Sequence, residues 1–167
     1  MLSRVANSIC WIARYMERTN GMLRLLRTNY ISSQDEVSDF SWHSVLRLYS
    51  DLPTSQTEQI KNNSSKVLDH LLLDVNNTAS VCNNIYRSRE NARAAQDHIT
   101  KEVWEQINGM YHLVNHPSVL NRLNNYQGPE VIELFQKQCV MYTGITEITM
   151  SRGMGWQFMN LGKFVER

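Results

Sequence analysis

Residues that interrupt helices are scarce in this chain, with three prolines and seven glycines among 167 residues. That scarcity weighs against a turn-dense β-sandwich or barrel, and no alternating apolar and polar run of any length appears. Charge of one sign is not in excess either: 17 lysines and arginines face 16 aspartates and glutamates. No global field therefore draws the chain to nucleic acid or to an anionic membrane. Long apolar stretches are missing as well. The opening "MLSRVANSICWIARYMER" is interrupted by Arg4, Arg14, Glu17 and Arg18, which excludes a signal-peptide core or a membrane span there. The three cysteines, Cys10, Cys82 and Cys139, are odd in number, far apart and lack Cys-x-x-Cys spacing. They read as core residues in a reducing compartment. The expectation is a soluble cytoplasmic protein with one domain over residues 1–167 and neither nucleic-acid nor membrane partners.

What the chain does have is helical periodicity. Val5, Ile9, Ile12, Met16, Leu23, Leu26 and Tyr30 fall alternately four and three apart, with Thr19 in the one gap, which is the seam of a helix over about residues 3–31, with Ser3 as its N-cap. The polar "SSQDEVSD" suits a loop. Val45, Leu48, Tyr49 and Leu52 suggest a second helix stopped by Pro53, and "TSQTEQIKNNSS" a connection holding a short helical turn. A shorter helix in "SKVLDHLLLDV" is followed by a turn at Asn76 and Asn77. The long helix after it buries Val81, Ile85, Ala92, Ala95 and Ile99, and restarts or continues past Thr100 until Pro117. Pro129 suits the first position of another helix, and Gly153 and Gly155 permit a bend before "WQFMNLGKFVER". The fold class is all-α, an antiparallel bundle of five to seven helices. Met16, Met22, Met141 and Met150 fall at apolar positions and are expected in its core.

The chain also repeats a phrase. Ala13, Arg14, Tyr15, Met16, Glu17 and Arg18 match Gly162, Lys163, Phe164, Val165, Glu166 and Arg167, an internal pseudo-repeat. On a helix Arg14 is placed to reach Glu17 at i+3, leaving Arg18 to reach another helix. Surface ion pairs are the plainest reading. The small residue at position 13 or 162 permits close helix approach beside a fork-shaped guanidinium, so a clamp between the two matching helices is the stronger one. An anion or carboxylate site is the third. A second charged stretch, "RSRENARAAQDHITKEVWEQ", carries Arg87, Arg89, Glu90 and Arg93 at helical spacings. It reads either as a solvated face or as a network joined to the two Glu-Arg helices, with Trp11 and Trp104 as packing partners for arginine planes.

These blocks resemble the alpha-E family, all-helical bacterial proteins named for a Glu-Arg motif. The likeness lies in "MLSRVANSICWIARYMERTNGMLRLL", "IYRSRENARAAQDHITKEVWEQIN" and "MSRGMGWQFMNLGKFVER", three blocks in order along essentially the whole chain. The resemblance implies companionship with ATP-grasp ligases and transglutaminase-like proteins in systems that make or remodel amide bonds in peptides. It also implies that family members are longer, so this chain is expected to be an N-terminal portion, or to have a partner chain supply the rest. Lys163 departs from the pattern that Arg14 sets, losing the planar fork.

Phosphate-loop and GxGxxG patterns are lacking. His112 and His116 share an i, i+4 spacing, as do His98 and Glu102, but HEXXH is not present, and the histidines read as capping or solvated groups rather than metal ligands. No metal or cofactor is expected. The functional expectation is a non-catalytic or accessory protein acting with an ATP-grasp or transglutaminase-like system in peptide or amide-bond formation or modification. The alternative is a peptide-modifying enzyme whose Glu17, Glu90 and Glu102 converge in an interhelical cleft. The candidate binding residues are Arg14, Glu17, Arg18, Arg87, Arg89, Glu90, Arg93, Glu166 and Arg167. A homodimer formed through an uncovered groove is expected as well.

Overall fold

The computed structural model describes residues 1–34 and 40–167. Nine α-helices lie among them: α1 (Ser3–Ser32), α2 (His43–Tyr49), α3 (Thr54–Ile60), α4 (Ser64–Leu72), α5 (Val81–Ala94), α6 (Lys101–Val114), α7 (Pro117–Asn124), α8 (Gly128–Thr149) and α9 (Met154–Glu166). No strand occurs among the described residues. Most of the expected polar loop after α1, residues 35–39, lies outside them.

The first helix follows its apolar seam. Ile9, Ile12, Met16, Leu23 and Leu26 are essentially inaccessible, each such side chain contributing about 1.5–3 kcal/mol of transfer free energy. Thr19 fills the gap in the seam fully buried, its hydroxyl donating to the Tyr15 carbonyl at 2.8 Å. Ser3 does not cap the helix: Leu2 holds the N-cap position, with no side-chain hydrogen bond, and Ser3 is already helical.

The count exceeds five to seven because local caps divide the chain more finely than its apolar pattern does. After Ala94 a 3-10 turn, Gln96–His98, breaks the rod. Thr100 then caps α6, accepting from the Val103 amide at 3.4 Å, and its hydroxyl also meets that of Thr149 at 2.7 Å. Pro117 does more than stop α6. It is the first residue of α7, whose N-cap is His116.

Five long helices build the bundle. α5 descends beside α1, α6 returns beside α5, and α8 descends against both α1 and α6. The bonds from Arg89 to Asn108 and from Gln106 to Gln138 mark these antiparallel pairings. α9 returns from α8 and packs chiefly on α1. Gly155 approaches Ile9, and Glu166 approaches Arg14 and Arg18, so the first and last helices run parallel inside an otherwise antiparallel bundle. The short helices α2, α3, α4 and α7 close the end where α1 finishes. There Trp42 is buried, with its indole N–H on Ser64 at 3.0 Å, and Leu68 and Tyr30 crowd Gly128.

Two apolar assignments differ from the periodic pattern. Met141 is half exposed on α8, and Leu48 is largely exposed. α2 has only seven residues and turns Leu48 into a cavity described below.

Candidate functional site

The repeated phrase is where the two parallel helices touch most closely. Ala13 and Gly162, equivalent in the repeat, face each other. A β-carbon added at Gly162 would stand 3.1 Å from that of Ala13 and collide with the backbone carbonyl of Cys10. A glycine there lets α9 lie against the α1 backbone, which any side chain would prevent.

One turn beyond this contact the charges interlock. Glu166 receives Arg14 Nε on Oε2 at 2.9 Å and Arg18 Nε on Oε1 at 2.6 Å. Arg167 Nε in turn donates to Glu17 Oε1 at 2.8 Å. Exchanging the two copies of the repeat interchanges Glu17·Arg167 with Glu166·Arg18, so the contact has an approximate local two-fold symmetry. The third bond breaks it. The counterpart of Arg14·Glu166 would join Lys163 to Glu17, but the Lys163 ammonium instead lies 4.0 Å from Glu147 Oε1. Arg14 likewise does not turn to Glu17 within its own helix. The carboxylate of α9 outcompetes it because Arg14 and Arg18, one turn apart on α1, address its two oxygens together.

Burial by itself pushes the Glu166 carboxyl up, but the hydrogen bonds and charges of Arg18 and Arg14 outweigh it and hold the group below the usual carboxylate range. Aromatic rings back the guanidiniums. Arg14 lies 4.1 Å over Trp11, and Arg18 5.7 Å and Arg87 6.0 Å from the centre of Tyr15. Tyr49, at the end of α2, adjoins the same charges. Burial and Glu166 raise its phenol, Arg18 opposing them, and it stays protonated.

A model of the Alpha-E family, described as a predicted alpha-helical domain with a conserved ER motif, matches residues 1–167. The chain belongs to that family. No curated protein and no solved structure matches it. Two Glu-Arg pairs of this Alpha-E chain, Glu17–Arg18 and Glu166–Arg167, form the interlock, each glutamate bound by an arginine of the other pair.

The remaining expected residues of the Alpha-E chain sit elsewhere. Arg89 donates to Asn108 Oδ1 at 2.7 Å and lies 4.4 Å over Tyr111 and 5.9 Å from Trp104. Glu90 takes Arg89 and Arg93, each at 3.3 Å. This second cluster therefore closes on α5 and α6, and only Arg87 reaches across to α1. Glu17, Glu90 and Glu102 do not converge: Glu17 is bound to α9, Glu90 to its own helix, and Glu102 is exposed in the first turn of α6. His116 serves as a cap, its Nδ1 accepting from the Ser118 amide at 3.2 Å. No group of three or more His, Cys, Asp or Glu able to hold a metal occurs among the described residues.

Two cavities flank the interlock. One, of about 30 Å³, is a narrow slot between α1, α8 and α9 with Met16, Tyr142 and Met159 in its floor and Glu17, Glu147 and Lys163 at its rim. The other, of about 490 Å³, is lined by Glu17, Arg18, Gly21, Leu48, Tyr49, Ala79, Glu166 and Arg167. Leu48 and Tyr49 escaped sequence reasoning, since nothing in the pattern of a seven-residue helix links it to a motif at either end of the chain.

Proposed function

We propose that this Alpha-E protein is a cytoplasmic, non-catalytic accessory protein that presents a substrate or partner to an ATP-grasp or transglutaminase-like enzyme making or modifying amide bonds in peptides. One observation carries the non-catalytic part: both glutamates of the repeated motif are bound by arginines of the opposite helix, two on Glu166 and one on Glu17. Glu166, held below the usual carboxylate range, has no proton to give and is a weaker base than a free carboxylate, and Glu17 is committed to Arg167. The motif's chemistry is thus spent on joining helices, and function passes to surfaces and clefts. The enzyme class comes from the family resemblance. Met154, Leu161, Phe164 and Val165 leave an apolar row exposed on α9, and this reading assigns that row to the partner. No helix among the described residues is long and apolar enough to cross a membrane.

The test is co-purification of the chain with an ATP-grasp ligase from its own genome, followed by amide-bond assays with ligase alone, chain alone and both together. Complex formation with a raised ligase rate is expected. Turnover by the chain alone would replace this reading with that of a peptide-modifying enzyme, and sedimentation as a homodimer that excludes the ligase would replace the partner.

A further inference from the structure

The interlock takes one N–H from each arginine. Arg18 and Arg167 both bind through Nε, to one oxygen each, although a guanidinium presents five donors in a rigid fork. Among the described residues, no hydrogen-bond partner meets the terminal amines of either arginine or the hydroxyl of Tyr49. All three residues line the 490 Å³ cavity, a volume within the range of small-molecule sites. The ion pairs hold the two guanidiniums at the cavity edge, Arg18 in the more covered pair and Arg167 in the more exposed one, which lowers part of the ordering cost a ligand would otherwise meet.

Charge narrows the ligand class. The cavity wall carries two arginines and two glutamates, with Arg14 behind it on Glu166, and the two wall carboxylates oppose a phosphate dianion more than a singly charged carboxylate. It also offers an acceptor. Both oxygens of Glu166 are engaged, whereas Glu17 uses Oε1 for Arg167 and, among the described residues, Oε2 has no hydrogen-bond partner. Donors for a carboxylate thus lie beside an acceptor for an ammonium, and Leu48, Gly21 and Ala79 complete the wall with apolar surface.

We propose that this cavity binds an amino-acid zwitterion, free or as a short peptide, its carboxylate on Arg18, Arg167 and Tyr49 and its ammonium on Glu17 Oε2. The site needs no partner protein and stands apart from the accessory reading, because it is measured on the purified chain alone.

Titration calorimetry with L-alanine, L-alanyl-L-alanine, alaninamide, N-acetylalanine and inorganic phosphate tests it. One or both zwitterions bind, and which of them binds more tightly distinguishes a free amino acid from a peptide. Alaninamide and N-acetylalanine, each lacking one charge, bind about tenfold more weakly or worse, as expected for loss of a charged hydrogen bond. Phosphate does not compete. The variant Arg167→Gln weakens the zwitterion about tenfold. Tyr49→Phe, which leaves every ion pair in place, weakens it about fivefold with an unchanged melting temperature. No binding by either zwitterion, equal binding by N-acetylalanine or phosphate, or undiminished affinity in Tyr49→Phe and Arg167→Gln would overturn the assignment.

Discussion

Glu166 and Glu17 occupy equivalent positions in the two copies of the motif, yet Glu166 takes two arginines and Glu17 takes one. Their surroundings differ accordingly. The Glu166 side chain is 13% exposed between arginines that are themselves about three-quarters covered, whereas the Arg167 side chain holding Glu17 is 52% exposed. The difference traces to one residue. Arg14 has a fork that reaches the opposing carboxylate, while its counterpart Lys163, a point charge on a flexible stem, goes toward Glu147. Repetition of sequence has supplied the geometry of a symmetric contact, and a single substitution has divided it into a tight side and a loose side.

The comparison breaks most severely at the point both sides share. Gly162→Val would force α9 away from the Cys10 carbonyl and disengage both pairs together, a loss of about 3 kcal/mol or more, the upper end for overpacking. Urea denaturation measures it, and a loss below about 1 kcal/mol would show that the helices do not rely on this approach. Next comes the tight side against the loose one. Glu166→Gln should destabilise by about 2 kcal/mol, leaving two part-buried arginines without their charge partner, and Glu17→Gln by about 1 kcal/mol or less, as befits a pair with an exposed member.

The pH dependence separates the two further. Unfolded, Glu166 titrates near the usual glutamate value of about 4.3, and folded it titrates lower. Its contribution is therefore complete above that value and is lost as pH falls through the folded pKa. Melting temperatures between pH 6 and 3 should decline less steeply in Glu166→Gln than in the natural chain. The smallest effect sharpens the comparison instead of breaking it. Lys163→Arg restores the missing fork, and a gain of about 0.5 kcal/mol that vanishes in a Glu17→Gln background would identify Glu17 as the acceptor.

Much of this was legible in the sequence, and for a local reason. The α1 seam from Ile9 to Leu26 follows a short-range period, and Thr100 announces a helix start through its own chemistry, whereas Pro117, expected only to end a helix, also begins α7. The repeat pointed to a close approach at Ala13 and Gly162 because each is small enough to let two helix backbones come together. What escaped is set by distant neighbours. Whether Arg14 turns to Glu17 or to Glu166 depends on how near α9 lies, which no spacing within α1 records. Leu48 and Met141 occupy apolar positions in their helices, but burial requires a covering element, and none of the described elements covers them. The second arginine cluster reads in sequence either as a solvated face or as a network joined to the Glu-Arg helices, whereas α6 supplies Asn108 and Tyr111 and draws Arg89 to itself.

The parallel pairing of α1 with α9 also bears on the order of assembly. Arg14 and Glu166 are separated by 152 positions, so α1 must wait, with its guanidiniums unanswered, until the whole intervening chain has left the ribosome. Local helices and the α5–α6 hairpin can form meanwhile, but the closing contact is among the most distant the polypeptide makes, and contacts of that kind set a slow pace. A nascent chain halted before Glu166 would carry α1 to α8 with α1 unclasped, a form open to recognition and removal by proteases.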